Sequence, residues 1–588
     1  MKKLLVYLKD YKKESILGPL FKLLEASFEL IVPLVMATII DVGVKNADKA
    51  YIMKMCLVLV LLAVIGLTCS ITAQYFAAKA AVGFSTKLRH ALFEHIESLS
   101  FAEMDEVGTS TLMTRMTSDV NQVQNGVNLF LRLLLRSPFI VFGAMIMAFT
   151  VDVKAALVFV VAIPLLSIVV FGIMLVSIPL FKKVQGALDG VLGITRENLT
   201  GSRVIRAFNK EETEIGKFNE KNDALTKIQL YVGRISALMN PVTFVIVNMA
   251  TLVLIWKGAI RVDNGFITQG EVVALVNYMS QILVELVKLA NLIININKSI
   301  ACGNRIQTIL ELQPSVTDEK AISAQNNSSM DSSYAVEFDH VGLAYGKVKE
   351  EALTDIHFSV KKGQTIGIIG GTGSGKSSVV NLIPRFYDVT SGSVKVNGKD
   401  VREYTLSDLR SKVGTVLQKA VLFKGTIREN LQWGNPDATE EEMQQALAVA
   451  QAKEFVDTKE GGLDYEIEQG GKNLSGGQRQ RLTIARAVVK KPEILILDDS
   501  ASALDFATDA KLRMAIREME GEMTVFIVSQ RAASLQYADQ IIVLDEGIIK
   551  GIGTHEELLN TCPVYQQIAK SQLSEDDLKK AREVSDHE

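Results

Sequence analysis

Six long apolar stretches in the first half of the chain constrain its fold more than any other feature of the sequence. They lie near residues 16–40, 52–80, 130–151, 154–179, 236–258 and 271–296. A helix of about 20 predominantly apolar residues crosses a bilayer core about 30 Å thick, and each stretch is long enough for this. The sequence therefore predicts an all-α domain with six spans in contact with the lipid bilayer.

Basic residues distinguish the two long connections between these spans, residues 81–129 and 180–235. These connections carry Lys87, Arg89, Arg115, Lys182, Lys183, Arg196, Arg203, Arg206 and Lys210. Lysine and arginine favour the cytoplasmic side of a membrane. Both connections and both termini are therefore expected in the cytoplasm, with the chain in the cytoplasmic membrane. The basic N-terminus has no small-residue cleavage site behind it, so the first apolar run is interpreted as a span and not as a signal peptide.

Proline spacing predicts how far the helices continue. No proline occurs between Pro33 and Pro138, or between Pro179 and Pro241. Because proline interrupts helices, both long connections are expected to remain largely helical. A 50-residue helix would be roughly 75 Å long, more than twice the bilayer core, so these helices are expected to project into the cytoplasm. Short crossing segments are predicted near residues 115–124 and 198–208.

Composition limits the remaining possibilities. The chain has 588 residues, is 48% hydrophobic and carries a net charge of −3. These values exclude a disordered chain and a strongly basic nucleic-acid-binding protein. The four cysteines, Cys56, Cys69, Cys302 and Cys562, lack metal-ligand spacing, which argues against a zinc site or a disulfide framework.

A change of composition divides the chain. Residues 312–335 are rich in Ser, Asn and Asp and predict a linker. The predicted domains are 1–311 for the spans and their helical extensions, and 336–570 for an α/β domain, followed by a charged tail at 571–588. In residues 336–570, short β-branched runs alternate with helical patterns, which is typical of a mainly parallel sheet.

A glycine-rich loop follows the strand-like run TIGIIG. It consists of Gly370, Gly371, Thr372, Gly373, Ser374, Gly375, Lys376 and Ser377, and a helical pattern continues from Ser378. This matches the phosphate-binding loop of nucleotide-binding proteins, and the flanking strand and helix disfavour a chance glycine-rich turn. Its backbone N–H groups would converge on phosphate oxygens, Lys376 would reach the β and γ phosphates, and Ser377 would coordinate Mg²⁺.

Two further motifs follow the loop. The apolar run ILILDD ends in Asp498 and Asp499, and the first carboxylate is expected to help hold Mg²⁺. Between the loop and this strand stand Leu474, Ser475, Gly476, Gly477 and Gln478, which open an arginine-rich helix.

This LSGGQ sequence resembles the signature of ATP-binding-cassette (ABC) transporters. Six spans followed by one cassette resemble a half-transporter of the exporter type, and the resemblance covers nearly the whole chain. It implies that two cassettes sandwich two ATP molecules, each held by one chain's phosphate loop and the other chain's signature. It also implies that Tyr345 stacks on adenine, that Gln418 senses Mg²⁺, and that Asp505 in the segment Ser502–Asp505 faces the other cassette.

Two positions depart from the family pattern. Asp499 stands where the family has a glutamate as general base, and Gln530 stands where it has a histidine that contacts the γ phosphate. The aspartate carboxylate is drawn back by about 1.5 Å, and glutamine cannot become cationic. We therefore expect weak hydrolysis at this site, and a heterodimer whose different partner carries the glutamate, the histidine and an altered signature. The alternative is a homodimer that tolerates the aspartate. The segment Glu468–Gly471 also departs from the family's usual glycine-glutamate pattern.

Charged residues inside the spans are candidates for substrate binding. Glu25 and Glu29 share one helix face, as do Arg132 and Arg136. They would either pair between helices or attract cationic amphiphiles, and Glu285 and Lys288 allow the same two interpretations. Asn291 and Asn295 would add a polar path. Some aromatic and methionine residues of the spans would either form an adaptable pocket for apolar ligands or simply face lipid or pack in the core. They are Phe139, Phe142, Met145, Met147, Tyr278 and Met279.

The resemblance favours ATP-driven multidrug export of small hydrophobic or amphiphilic compounds. A lipid, peptide or haem exporter is an alternative in the same class. An ATP-binding regulator or gated channel without turnover is an alternative of a different class.

Overall fold

A computed structural model describes residues 2–318, 333–346, 350–500, 502–519 and 522–572. The chain forms two compact units. The first comprises Met1–Glu97 and Ser110–Glu311, and the second comprises Ser98–Thr109 and Leu312–Glu588. Most of the predicted linker, 319–332, and most of the predicted tail, 573–588, lie outside the described residues.

The first unit is all-α and contains six helices long and apolar enough to cross a membrane, which confirms the six predicted spans. These helices are Lys3–Val44, Lys49–Ser98, Thr109–Val151, Val153–Thr200, Glu211–Asp263 and Gln269–Leu310. The α-helical segments of the first half of the chain are α1 Lys12–Thr38, α2 Lys49–Ser98, α3 Phe101–Val107, α4 Thr109–Thr114, α5 Val120–Leu133, α6 Arg136–Val151, α7 Val153–Thr200, α8 Ser202–Ala207, α9 Glu211–Ala237, α10 Met239–Asp263 and α11 Gln269–Leu310. Of these, α2 has 50 residues, so it continues well past its apolar stretch as the proline spacing predicts.

Small side chains let the spanning helices approach closely. Ala26 of α1, Ala144 of α6 and Ala155 of α7 are fully buried beside the large rings of Phe159 and Tyr278. In lipid, apolar side chains gain little free energy by moving from the surrounding solvent into a helix interface. Close packing at small residues therefore stabilises the contacts between helices there. The opposite arrangement occurs on α2, whose outward face exposes Leu57, Val60, Leu61 and Val64. This face suits contact with lipid.

The first short crossing segment was predicted at the wrong place. Residues 115–124 continue a helix, through a π-helical turn at Arg115–Asp119 into α5. The short separate helix is instead α3, where Ser100 and Glu103 form a capping box and Gly108, with φ of 78°, ends the helix. Proline spacing does not indicate this break, because no proline lies between Pro33 and Pro138; a cap and a glycine make it. The second predicted segment, 198–208, contains the short helix α8.

The second unit is built on two main sheets. Its strands are β1 Tyr334–Leu343, β2 Leu353–Lys361, β3 Thr365–Gly370, β4 Ser391–Val396, β5 Lys399–Asp400, β6 Val413–Val416, β7 Gly425–Thr426, β8 Glu466–Ile467, β9 Ile494–Asp498, β10 Thr524–Val528, β11 Gln540–Asp545 and β12 Ile548–Gly553. One sheet has the order β12-β11-β3-β10-β9-β6 and is parallel except for β12. The other has the order β2-β1-β4-β5 and is antiparallel.

Strand β1 begins at Tyr334, inside the predicted linker 312–335. Helices cover the six-stranded sheet. These helices are α12 Lys376–Leu382, α13 Leu406–Lys412, α14 Ile427–Gln432, α15 Glu440–Val449, α16 Lys453–Asp457, α17 Gly476–Val488, α18 Phe506–Arg517, α19 His555–Thr561 and α20 Pro563–Lys570.

Strand register places the sequence motifs together. β10 lies between β3 and β9, with Val528 opposite both Ile368 and Asp498. The loops that follow these three strands carry the phosphate loop, Asp499 and Gln530. Because the carboxyl ends of parallel strands share one edge, this edge is the natural ligand site of such a sheet.

The beginning of the predicted linker is fixed within the second unit. The backbone N–H of Val316 donates to the Ser100 hydroxyl at 3.0 Å. A carboxylate oxygen of Asp318 accepts from the backbone N–H of Leu406 at 2.9 Å. The described part of this segment is therefore anchored at both α3 and the start of α13.

Candidate nucleotide site and membrane site

The phosphate loop has the backbone that its glycines permit. Gly373 and Gly375 have φ of 83° and 95°, which side-chain-bearing residues rarely adopt. A Cβ on Gly370 would lie 2.1 Å from the carbonyl oxygen of Leu544, so that position also requires glycine. The loop ends at the N-terminus of α12, where free backbone N–H groups favour an anion.

Lys376 lies inside this loop. Its side chain is buried, and Nζ donates to the carbonyl oxygens of Gly371 at 2.6 Å and Gly370 at 3.0 Å. Burial lowers the pKa of the Lys376 amine, while the carboxylates of Asp499 and Asp498 oppose that shift. The loop thus holds the amine beside the N–H groups that would face phosphate.

Ser377 and Asp498 form a pair that fits Mg²⁺. The Ser377 hydroxyl donates to a carboxylate oxygen of Asp498 at 3.0 Å, and Asp498 is 5% exposed. Burial raises the pKa of Asp498, the charge of Asp499 adds to this, and the Ser377 hydrogen bond opposes it. Mg²⁺ prefers hard oxygen ligands, and a hydroxyl beside a carboxylate supplies them.

Asp499 and Gln418 meet at the same edge. Gln418 Nε2 donates to a carboxylate oxygen of Asp499 at 3.3 Å. The backbone of Asp499 has φ of 45°, and its N–H donates to the carbonyl oxygen of Val528 at 3.1 Å. Four of the predicted residues, Ser377, Gln418, Asp498 and Asp499, therefore lie in one connected group.

Tyr345 lies beside the start of α12. Its hydroxyl donates to Ser378 at 2.9 Å, and burial raises its pKa. The ring packs edge-on against Tyr387, with ring centres 5.0 Å apart and planes at 88°, and Tyr345 is 36% exposed. An aromatic face next to a phosphate loop suits adenine stacking. Tyr387 was not predicted from the sequence, although it follows α12 in an aromatic pair, Phe386-Tyr387.

Tyr387 also joins the cassette to α3. Its hydroxyl donates to a carboxylate oxygen of Asp105 at 2.6 Å, and the Phe101 and Phe386 rings are 4.6 Å apart. Burial, strengthened by Asp105, raises the pKa of Tyr387. The phenol therefore stays neutral and donates at physiological pH.

The signature residues form a helix cap. Ser475 precedes α17 and forms a capping box with Gln478, at 3.0 and 3.2 Å. A Cβ on Gly477 would lie 3.2 Å from the carbonyl oxygen of Ala503, so the signature packs against the segment that leads to Asp505. Among the described residues, no hydrogen bond joins the signature to the phosphate loop of the same chain.

Asp505 and Gln530 have local roles in the structure. Asp505 caps α18 by accepting from the backbone N–H of Thr508 at 2.9 Å. The backbone carbonyl of Gln530 accepts from Gln572 Nε2 at 2.8 Å, and Gln572 also accepts from the N–H of Ala532 at 2.9 Å. The C-terminal end of the described chain thus holds the loop after β10, a contact that the sequence analysis missed.

Comparison with known proteins assigns the two units. The family described as ABC transporter transmembrane region matches residues 15–286, and the family described as ABC transporter matches residues 353–502. An uncharacterised ABC transporter ATP-binding protein of Mycobacterium tuberculosis is 37% identical over 572 residues, which cover 96% of this chain and 97% of the relative. The chain belongs to the ABC transporters, as a half-transporter of the exporter type.

Other relatives of the half-transporter have more specific names. A Bacillus subtilis protein, provisionally named a multidrug export ATP-binding/permease protein, is 33% identical, with 97% of this chain and 98% of the relative covered. An ATP-dependent lipid A-core flippase of Desulfotalea psychrophila is 32% identical, with 82% and 84% covered. The fold is shared with an ATP-bound bacterial Atm1-family ABC exporter, at a TM-score of 0.77, 22% identity, and 96% and 99% coverage.

The half-transporter has a buried ion-pair network between its spanning helices. Arg136 donates to Glu285 at 2.7 Å and to Glu29 at 2.6 Å, and the Ser137 hydroxyl donates to Glu285 at 2.8 Å. The side chain of Glu285 is 4% exposed, whereas that of Glu29 is 41% exposed. Lys288 pairs with Glu285 at 2.9 Å.

The other two predicted charges lie outside this network. Glu25 pairs with Lys22 of the same helix at 2.6 Å, and Arg132 donates to Gln74 of α2. Among the described residues, the predicted arginine that pairs with predicted glutamates is therefore Arg136, which binds both Glu29 and Glu285. The i, i+4 spacing placed these residues on a face but did not identify Lys22 one turn earlier.

A cavity of about 420 Å³ borders the network, and its lining includes the polar residues Glu29, Gln281, Glu285 and Lys288. Two residues of the predicted adaptable pocket are instead core residues. Tyr278 and Met279 are fully buried, and the Tyr278 hydroxyl donates to the carbonyl oxygen of Leu30 at 2.7 Å. The alternative of core packing accounts for both.

Proposed function

We propose that this half-transporter exports small hydrophobic or amphiphilic compounds, as in multidrug efflux. It acts as one subunit of a heterodimer in the cytoplasmic membrane, with both termini and the cassette in the cytoplasm. The observation that carries the proposal is the pairing of Gln418 with Asp499 at the position where the family has a catalytic glutamate.

ATP binding rests on the parts of the site that match the family. The N–H groups of the phosphate loop and the Lys376 amine would neutralise phosphate charge, while Ser377 and Asp498 would hold Mg²⁺. When bound, Mg²⁺ would supply charge neutralisation at the phosphates. Tyr345 would position the adenine. Nothing in this set requires the missing glutamate, so binding should be retained.

Hydrolysis needs a base that reaches the attacking water. The Asp499 carboxylate is one methylene shorter than glutamate, and its hydrogen bond to Gln418 holds it at the sheet edge. Gln530 supplies no cationic group to the γ phosphate. Loss of positioned acid–base help typically costs about 10²- to 10⁴-fold in rate. The signature cap of α17 is complete and would serve the partner's ATP, so the two sites of the heterodimer would differ in turnover.

Substrate selection is assigned to the cavity beside Glu29 and Glu285. Glu29 pairs with Arg136 yet keeps 41% of its side chain exposed, and it lines the cavity. A partly exposed carboxylate among spanning helices favours cationic amphiphiles. The name of the Desulfotalea psychrophila relative makes lipid transport the second candidate.

Two measurements test the proposal. ATP turnover is compared for this chain alone, for this chain with a candidate partner half-transporter that carries the catalytic glutamate and histidine, and for the pair with the partner's catalytic glutamate changed to glutamine. We expect slow turnover alone, fast turnover together, and loss of the fast rate in the partner variant. Vigorous turnover by the lone chain, unaffected by the partner variant, contradicts the heterodimer.

Substrate class is measured in proteoliposomes of the active pair. Export of cationic and neutral dyes is compared with the movement of fluorescent lipids between leaflets. Dye export without lipid movement supports multidrug efflux, and lipid movement without dye export supports the flippase alternative. Transport that survives loss of hydrolysis in both sites would favour the gated channel.

A further inference from the structure

Two histidines and two aspartates form an exposed cluster on the four-stranded antiparallel sheet, and none of them belongs to the phosphate loop or the signature. His340 and Asp339 belong to β1, and His357 and Asp355 belong to β2. His340 Nδ1 lies 2.5 Å from a carboxylate oxygen of Asp355, and His357 Nδ1 lies 3.8 Å from a carboxylate oxygen of Asp339. All four side chains are exposed.

A β-bulge brings these residues to one place. Phe338 is opposite Phe358 and Val341 is opposite Ile356, so two residues of β1, Asp339 and His340, face one residue of β2, His357. In a regular strand, neighbouring side chains point to opposite faces. Here His340 has φ of 48°, which turns its side chain to the same exposed face as Asp339.

Neighbouring residues hold the bulge in this form. Asp355 has φ of 53° and lies in a second irregularity, between the Val341 and Leu343 pairings. On β4, a Cβ at Gly392 would lie 2.3 Å from the carbonyl oxygen of His340 and 2.4 Å from that of Asp339. Glycine at 392 therefore lets the bulge pack closely against the third strand.

The side chains of the bulge lie close enough together to become a metal-ligand set after a small movement. The two imidazole rings are nearly parallel, with centres 4.9 Å apart and planes at 20°. One ligand atom each from Asp339, His340 and His357 lies within 4.8 Å of the other two. Ligand atoms that lie about 2.1 Å from a tetrahedral ion are about 3.4 Å from one another. The distances between the ligand atoms of these exposed side chains therefore need to shorten by at most about 1.4 Å.

Asp355 supplies the supporting contact that metal-binding histidines commonly have. Its carboxylate is paired with Nδ1 of His340, which leaves Nε2 of that ring available. A carboxylate on the second ring nitrogen fixes the tautomer and the orientation of a liganding histidine. The cluster thus has three ligands and one orienting group.

We propose that Asp339, His340 and His357 bind a divalent transition-metal ion, represented by Zn²⁺. Two imidazoles and one carboxylate suit zinc and leave one coordination position open. Mg²⁺ prefers oxygen ligands in octahedral geometry, so the magnesium of the ATP site does not compete for this cluster. Cysteine spacing gives no indication of such a site, because the ligands lie on two strands brought together by the fold.

The test is a zinc titration of the untagged full-length chain in detergent, in the presence of a chromogenic zinc chelator and excess Mg²⁺. We expect His357→Ala and His340→Asn to weaken zinc binding at least about tenfold, since losing even a supporting partner of a ligand typically costs 10–100-fold. Asparagine is chosen at 340 because it tolerates positive φ. His90→Ala is the matched control, since His90 is an exposed histidine on α2, outside the cluster.

Binding of a fluorescent ATP analogue shows that each variant is folded. The site is supported if the two cluster variants lose zinc binding, His90→Ala retains it, and all three variants bind the ATP analogue as the native chain does. The proposal is overturned if the native chain does not compete with the chelator, or if both cluster variants bind zinc as tightly as the native chain.

Discussion

Gln418 Nε2 donates to the Asp499 carboxylate at 3.3 Å across the carboxyl edge of the parallel sheet. The pairing follows from strand register, since Val416 of β6 is opposite Leu497 of β9 and both side chains come two residues later. A longer acid at position 499 would extend past this contact towards the phosphate loop. The first prediction follows from this difference of one methylene.

Asp499→Glu is expected to raise ATP turnover at this site by about tenfold or more, because the carboxylate would reach the position of a general base. Turnover is measured in the proposed heterodimer, with the partner's expected glutamate changed to glutamine, so that only this site contributes. Asp457→Glu is the matched control, because Asp457 is an exposed aspartate at the end of α16. An unchanged rate in Asp499→Glu would show that base reach does not limit this site.

Mg²⁺-dependent ATP binding is expected to weaken as the pH falls, at a higher pH than an ordinary aspartate would cause. Burial, and then the charge of Asp499, raises the pKa of Asp498 above its ordinary value of 3.8. A protonated carboxylate is a poor magnesium ligand, so protons compete with the metal as pH falls through the raised pKa. Asp499→Asn removes the repulsion and should move the midpoint to lower pH.

The measurement is a Mg²⁺ titration of a bound fluorescent ATP analogue over a pH series, with Asp457→Asn as the control. The raised pKa of Asp498 also makes the stability of the fold depend on pH. The folded state binds more protons than the unfolded state between pH 3.8 and the folded pKa, so this group's contribution to stability falls as pH rises through that window. If the pH midpoint of Mg²⁺-dependent ATP binding is the same in Asp499→Asn as in the native chain, Asp499 is not a cause of the raised pKa of Asp498.

Glu285→Gln is expected to destabilise the membrane unit far more than Glu29→Gln. Glu285 is 4% exposed and lies against Arg136, and breaking a buried ion pair costs about 3–5 kcal/mol. Glu29 is 41% exposed, and Arg136 keeps its ion pair with Glu285 when Glu29 is neutralised, so about 1 kcal/mol or less is expected. Thermal unfolding in nanodiscs measures both.

The same variants separate pairing from substrate binding. We expect Glu29→Gln to lower export of a cationic dye more than that of a neutral dye, because the Glu29 carboxylate lines the cavity. Glu25→Gln is the matched control on the same helix, where the carboxylate pairs with Lys22. Unchanged cationic export with reduced stability in Glu29→Gln would assign Glu29 to pairing alone.

Tyr387→Phe is expected to loosen α3 slightly, and Phe101→Ala to loosen it more. Tyr387→Phe removes one hydrogen bond to Asp105, which stabilises the contact by about 1 kcal/mol. Its loss should make backbone amides exchange about fivefold faster by local opening. Phe101→Ala instead removes a whole aromatic ring, whose centre lies 4.6 Å from the centre of the Phe386 ring. Hydrogen exchange of residues 101–107 is the measurement, and Tyr537→Phe, at a tyrosine 76% exposed, is the control. Equal exchange in all three variants would contradict the anchoring role.

Local sequence patterns predicted the features that depend on neighbouring residues. The six spans follow from runs of apolar residues, and the backbone of the loop from Gly370 to Ser377 follows from contiguous glycines. The connected group of Ser377, Gln418, Asp498 and Asp499 required one further assumption, that the strands lie side by side in a parallel sheet.

Contacts between distant residues could not be predicted in the same way. Tyr387 meets Asp105, and Gln572 meets the carbonyl of Gln530, over long separations in sequence. Helical spacing indicated that Glu29 and Arg136 face their neighbours, but the choice of Glu285 as second acid depends on how three helices pack. The first crossing helix was misplaced because a serine cap and a glycine make its ends, and proline spacing does not indicate them.

The helix α3 has a practical consequence for work with the isolated cassette. Although it lies more than 200 residues before the rest of the cassette, α3 is part of the same compact unit. A recombinant fragment that starts at Leu312 would leave the faces of Phe386 and Tyr387 in water and the Val316 N–H without its Ser100 partner. Low solubility and weakened adenine binding of such a fragment would then reflect a missing piece of its fold, and adding a peptide of residues 98–109 should restore both.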